Sequence, residues 1–278
     1  MTAAVLRPAP PGPISGLRSA WRVFWYGGLM SYGMLFNWAR PSIYIPTLIG
    51  GPTFQLFFFA ALGSYATDRS PAYFAIGNAV QVSVLAGVFG MTMAIANERW
   101  FGTLPALLAS PANRVALFAG RFLPFVANGL LVSIYALVIG IIFLGVRLQP
   151  SSLAVVGLAL LTTVFSCTAI GALQGAISLR LRDGLFGANL IMMGILLFCG
   201  VNIPLAELPA WMQVIGHLLP FTHGLEAIRQ AADGAGLSQV GGLIAIELVI
   251  GCAYAVAAFG LFKYLERSAR MNATLDVR

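Results

Sequence analysis

Side chains able to do chemistry are sparse in this sequence: two histidines, three cysteines, one lysine and nine acidic residues among 278. His217 and His223 come without an HExxH pattern and without a cysteine beside them. Glu226 can share a helix face with His223, but a metal site needs three or four ligands, so both histidines read as satisfied interfacial residues. Cys167, Cys199 and Cys252 each stand alone inside an apolar run and read as small packed hydrophobes. Lys263, in GLFKYLE, follows no glycine-rich loop. A phosphate cradle needs both the loop and its lysine, so this chain is not itself an ATPase. It has no GxSxG elbow, and no histidine lies inside an apolar run to activate a serine. One acid remains. Glu247 lies within the last apolar run, about 10 Å from its end at 1.5 Å per residue. An ionisable group at membrane depth is a functional candidate by default. A lone acid so near one end can instead pair with Arg229 or reach interfacial water, and a proton path needs a chain of such groups. The pattern leans to a structural role, with proton coupling as the alternative.

The elements that must position these residues follow from composition. The chain is 59% hydrophobic and 9% charged, with a mean hydropathy of +0.87, whereas soluble domains carry roughly 25% charged residues. It reads as an all-α polytopic membrane protein lodged in the lipid bilayer. The net charge of +7 comes from basic residues scattered through short loops. They act as topology signals and form no nucleic-acid patch, so no nucleic-acid partner is expected. A span needs about 20 apolar residues, and six runs qualify: 42–66, 73–96, 123–146, 153–179, 185–203 and 241–264. With the amino terminus inside, only Arg69, Arg147 and Arg229 of the sixteen basic residues fall outside. That bias places both termini of the multi-pass chain in the cytoplasm, and fifteen Arg against one Lys suggest a GC-rich bacterial genome and so a bacterial plasma membrane.

Residues 1–14 have no apolar h-region and read as a disordered cytoplasmic tail with no cleaved signal peptide. In 15–39, Trp21, Phe24, Trp25, Gly28, Leu29 and Tyr32 follow helical spacing, with Arg18 and Arg22 on another face. This describes an amphipathic helix lying at the interface. The six spans fill 42–264, interrupted by an inner loop at 97–122 and an outer region at 204–240; residues 265–278 form the carboxyl-terminal tail. The outer region holds LPAWMQVIGHLLP, pinned by Pro209 and Pro220, and then LEAIRQAAD, with Glu226 and Arg229 three apart. Two short helices re-entering the outer leaflet satisfy their backbone only when buried in protein or lining a cavity. A lid over the bundle and an element of a pathway fit equally well. GALQG, from Gly171 to Gly175, has the spacing of a close-packed helix face.

NERWFGTLPALLASPANR, at 97–114, is too apolar for an ordinary loop and too short to span. Thr103 is a good N-cap and Pro105 falls in the first turn. Leu104, Leu107 and Leu108 share a face, and Ser110-Pro111 stops the helix. So short a helix is unstable alone and must dock on lipid, on its own bundle or on a partner. Glu98 beside Arg99, the Gly102 hinge and Arg114 at the far end favour a protein groove.

This stretch resembles the cytoplasmic loop of permease subunits of type-2 ATP-binding-cassette exporters, through Glu98, Gly102, Thr103, Leu104, Leu107, Leu108, Ser110, Pro111 and Arg114. Pro105 departs from the family's usual acid. The outer region is similar to the family's re-entrant element through Leu208, Pro209, Trp211, Pro220, Thr222 and Arg229. The resemblance implies a dimeric permease, with an identical or related second copy, coupled through helix 104–109 to a separate ATPase. It implies that this chain binds no cofactor, with ATP and Mg bound by the partner. LFNWARPSIYIPTLIGGP before the first span is closer to the drug and secondary-metabolite branch than to sugar-polymer exporters. Asn189, Met192 and Met193, with Glu247, are candidate pathway residues suited to a hydrophobic or amphipathic cargo. Export of a polysaccharide or lipid-linked glycan is the alternative. An ion-coupled transporter would need midplane charges or broken helices and an internal repeat. A membrane enzyme would need a catalytic constellation, and a simple anchor has no use for the outer region.

Overall fold

The computed structural model describes residues 21–22, 24–28, 41–100, 114–179 and 184–272. Among them every regular element is helical. The helices are α1 (Pro41–Ala66), α2 (Pro71–Val84), α3 (Met91–Trp100), α4 (Arg114–Phe143), α5 (Leu153–Ser178), α6 (Gly184–Phe198), α7 (Ala210–Leu218), α8 (Thr222–Ala232) and α9 (Leu237–Asn272). A π-helical segment, Leu85–Gly90, joins α2 to α3, so that one rod runs from Pro71 to Trp100.

Proline and glycine explain most of the boundaries. Pro41 and Pro71 open α1 and α2, where their fixed φ suits the first turn. Pro150 opens the short 3₁₀ turn that leads into α5. α6 stops at Phe198, and Gly200 then turns the chain with φ +77°. The apolar run expected at 185–203 is therefore a helix of 15 residues, about 22 Å long and short of a ~30 Å hydrocarbon core. Four described helical runs are long and apolar enough to cross a membrane: Pro71–Ala96, Gly120–Phe143, Pro150–Ser178 and Leu237–Leu265. At the carboxyl end no Gly or Pro interrupts YLERSARMN, and α9 continues as helix to Asn272, beyond the expected end of the last span.

α5 is the centre of the bundle, packing against α9, α3, α8, the π segment, α4 and α6. Its buried face is rich in small residues, among them Ala159, Ser166, Cys167, Ala169, Gly171, Ala172 and Ala176. Lipid tails are as apolar as leucine, so helices in a bilayer gain by close approach, which small residues permit. α2 lies between α1 and α4, and its residues from Phe74 to Val84 are all buried. Large apolar side chains point outward, including Phe54 and Phe58 on α1 and Val249 and Val256 on α9. In water such a surface would be an aggregation liability; facing lipid it is the low-energy arrangement. Near the amino terminus, residues 24–28 are helical. Gly28 is buried there, and a methyl group built on it would lie 2.8 Å from the Gly120 carbonyl oxygen of α4. Trp21 stacks on Phe24 at 5.8 Å and keeps most of its surface exposed. The rest of the helix expected at 15–39 lies outside the described residues.

Candidate functional site

α7 and α8 form a short hairpin at one end of the bundle. Pro209 precedes α7, and its carbonyl accepts from the N–H groups of Met212 and Gln213. After Leu218 the chain turns through Leu219, Pro220 and Phe221. Phe221 is fully buried and has φ +103°, a backbone conformation rare for a bulky residue and energetically costly. Thr222 then donates from Oγ1 to the Gly216 carbonyl at 2.6 Å, tying the start of α8 to the end of α7.

The start of α8 has no cap of its own: no side chain at Phe221 can accept its free amides. The acceptor comes from α9. Glu247, fully buried, accepts from the Phe221 N–H at 2.7 Å through Oε1 and from the Gly224 N–H at 3.1 Å through Oε2. Ser166 of α5 donates its hydroxyl to the same carboxylate. The first turn of any helix leaves N–H groups unpaired and carries positive partial charge. A carboxylate in this position satisfies the donors and is stabilised by the dipole. The expected pairing of Glu247 with Arg229 does not occur, because the acid is enclosed between α5 and α8 and its oxygens are taken.

Arg229, near the end of α8, has other partners. Nη1 donates to the Gly200 carbonyl and Nη2 to the Val201 carbonyl, each at 2.8 Å. Its guanidinium lies 3.8 Å above the Tyr73 ring of α2, a cation–π geometry. Arg69 approaches the same ring at 4.9 Å and forms an exposed ion pair with Glu207 at 2.5 Å. A seam of amides continues inward. Asn78 Nδ2 donates to Asn202 Oδ1 at 2.9 Å and to the Phe74 carbonyl at 3.0 Å, and Gln55 of α1 donates to Gln81. The hairpin, the bend at 199–203 and the near ends of α1 and α2 are thus joined by polar contacts.

Among the other expected site residues, Trp211 is exposed and meets Phe198 edge-on at 6.0 Å. The buried Pro220 offers its carbonyl to Cys199 Sγ at 3.9 Å. Glu226 is exposed and accepts from Gln230, not from Arg229. His217 and His223 stack with centroids 5.3 Å apart. Asn189 and Met193 are exposed on α6, with the Asn189 amide bonded to the Leu185 carbonyl, while Met192 packs against the core. Glu247 is enclosed between helices, whereas Asn189 and Met193 face outward and only Met192 turns toward the core. At the opposite end of the rod, Glu98 and Arg99 lie in the last turn of α3 and Arg114 opens α4. Gly102, Thr103, Leu104, Leu107, Leu108, Ser110 and Pro111 lie outside the described residues. Sequence reasoning missed Ser166, Tyr73, Asn78, Gln81 and Asn202. The polar residues inside otherwise apolar runs were the available signal. Nothing in the sequence marks Phe221.

The chain is similar in sequence to known proteins. The sequence profile of the family described as ABC-2 type transporter matches residues 27–232, which takes in the 97–114 stretch and the whole hairpin. The chain is 25% identical over 201 residues to "Probable multidrug ABC transporter permease YbhR" of Escherichia coli K12, covering 72% of this chain and 54% of that protein. The chain thus spans about half the length of that relative. It is 28% identical over 196 residues to "Putative transport permease ycf38" of Cyanophora paradoxa, covering 66% of this chain and 67% of the relative. A 77-residue stretch is 34% identical to Nodulation protein J of Sinorhizobium fredii, 28% of either chain.

Proposed function

The chain belongs to the ABC-2 type transporter family, and from that premise we propose that it is the membrane-spanning permease subunit of an ATP-driven exporter. It carries no P-loop in its own sequence, so hydrolysis of ATP, with its Mg, belongs to a separate cytoplasmic subunit. Two permease copies, identical or related, enclose the path in a bacterial plasma membrane, each with six spans, of which the fifth is built on the short α6, and both termini inside. The segment at 104–109, with its leucine face and Pro stop, seats in a groove of the ATPase, with Glu98 and Arg99 on one flank and Arg114 on the other.

The observation that carries this reading is the continuity of the family match across both the 97–114 stretch and the α7–α8 hairpin. An ATPase at one end of the rod needs a responding element at the other, and the hairpin is tied to α9 by Glu247, through it to Ser166 of α5, and to α2 by Arg229 over Tyr73. The cargo is a hydrophobic or amphipathic small molecule. The similarity to a protein named as a multidrug permease supports it, as do the apolar run of α6 and its two adjacent methionines. The test is co-reconstitution with the ATPase in inverted vesicles. ATP-dependent accumulation of a lipophilic dye is expected; accumulation of a glycan carrier and not of any lipophilic probe would overturn the cargo assignment.

A further inference from the structure

The rod from Pro71 to Trp100 is interrupted midway by the π segment Leu85–Gly90. A π turn holds about one residue more than an α turn, and single π turns inside α-helices recur at functional sites. The two sides of this one are held differently. On one side α2 is pinned: Asn78 bonds Asn202, Gln81 bonds Gln55, and every residue from Phe74 to Val84 is buried. On the other, α3 is held by apolar packing, with Met91 and Ile95 against Phe125, Ala172 and Ala258, and it carries Glu98 and Arg99 and leads into the 101–113 segment.

The π segment rests on α5 at very close backbone approach. A methyl group built on Gly87 would lie 3.1 Å from the Thr168 nitrogen, and one on Gly171 would lie 2.5 Å from the Gly87 carbonyl oxygen. The Thr168 hydroxyl stands at the same 3.1 Å from the first of these methyls and Val88 is buried beside the pair, but the closest approach is backbone to backbone. One step further on, Thr92 donates to the Gly171 carbonyl at 3.0 Å, a side-chain bond from α3 to α5.

We propose that Leu85–Gly90 is a hinge through which motion of the 97–114 stretch is passed into the bundle. α3 and its loop swing or turn against α2, which stays fixed by the amide seam, and Gly87 on Gly171 is the bearing. Passing from the π to the α register would rotate α3 against α2 by the angle of one residue, about 100°. A smaller change would bend the rod, as π turns do. Thr92 is a positioning residue that holds α3 in one of the two settings. The transmission rests on the export reading above; the hinge itself is a property of this chain.

The test is hydrogen exchange by mass spectrometry on the full chain in lipid nanodiscs, first alone and then with the ATPase bound and trapped by vanadate. Alone, amides of 85–91 exchange roughly tenfold or more faster than those of 74–84, the range expected between a local opening and a fixed core. Trapping changes protection across 85–96 and leaves 74–84 as it was. Thr92→Val, which keeps the side-chain shape, speeds exchange at 91–96 by about threefold, the usual worth of one interhelical bond in a membrane. Uniform protection across 74–96 in the chain alone overturns the hinge. A bound and trapped ATPase that leaves 85–96 unchanged overturns only the transmission. Absence of any bound ATPase overturns the export reading and the transmission together.

Discussion

Replacing Glu247 by glutamine keeps the side-chain shape and removes the charge that caps α8. The carboxylate accepts from the Phe221 and Gly224 amides through separate oxygens and from the Ser166 hydroxyl. Glutamine has one acceptor oxygen, so one buried amide is left facing an NH₂ group. A buried donor without a partner costs about 1–3 kcal/mol. Loss of a negative charge at a partly buried helix start adds about 1–2 kcal/mol. The sum is roughly 2–5 kcal/mol, which at about 2–4 °C per kcal/mol for a chain of this size is a fall in Tm of roughly 4–20 °C. Thermal unfolding in detergent measures it, and exchange at 221–226 should show the loss concentrated at the start of α8. Transport per folded molecule should keep its pH profile. A Glu247→Gln protein with unchanged Tm and an altered pH profile would refute this reasoning and restore a proton-coupling role.

Arg229→Met keeps length but strands the Gly200 and Val201 carbonyls and empties the Tyr73 face; the 199–205 bend should become a site of limited proteolysis, with a stability loss of about 2–4 kcal/mol. Thr222→Val removes the bond to Gly216 and should lower Tm by the 2–4 °C that about 1 kcal/mol represents. Phe221→Gly relieves a positive φ worth about 1–3 kcal/mol and deletes a fully buried ring worth about 3–5 kcal/mol; the net change should be destabilising, measured by Tm. Glu207→Gln breaks only the exposed pair with Arg69 and should move Tm by no more than the ~1 kcal/mol expected of a surface ion pair.

The helical, membrane-spanning character of the chain was legible in the sequence because long apolar runs between short charged loops admit few other structures. The runs expected at 153–179 and 73–96 fall on α5 and on the rod that begins with α2. Pro209 and Pro220 bracket α7 as their fixed φ and missing N–H lead one to expect. The run at 185–203 overreaches the end of α6 because hydropathy does not register Gly200, whose left-handed backbone follows the last helical residue closely. Glu247 stood out as a lone acid, but its partner did not. Its acceptors' donors are two backbone amides some 25 residues earlier and a serine on another helix, and periodicity along one helix carries no information about such contacts. The π segment was invisible for a related reason. LAGVFG has no composition that separates a π turn from an α turn, and the extra residue is accommodated by the glycine contact with α5. The amide seam of Asn78, Gln81 and Asn202 was readable only as polar residues out of place in, or at the end of, an apolar run.

The export account stands most directly on the 97–114 stretch, and detergent co-purification with the ATPase tests it. Wild type is compared with Leu107→Glu/Leu108→Glu, and bound ATPase and its turnover are read beside the unfolding temperature of the permease. The account predicts that the double variant loses the ATPase while unfolding at the wild-type temperature, because the charges disable a docking face without entering the bundle. A double variant that keeps both the bound ATPase and its turnover would contradict the coupling role of this helix.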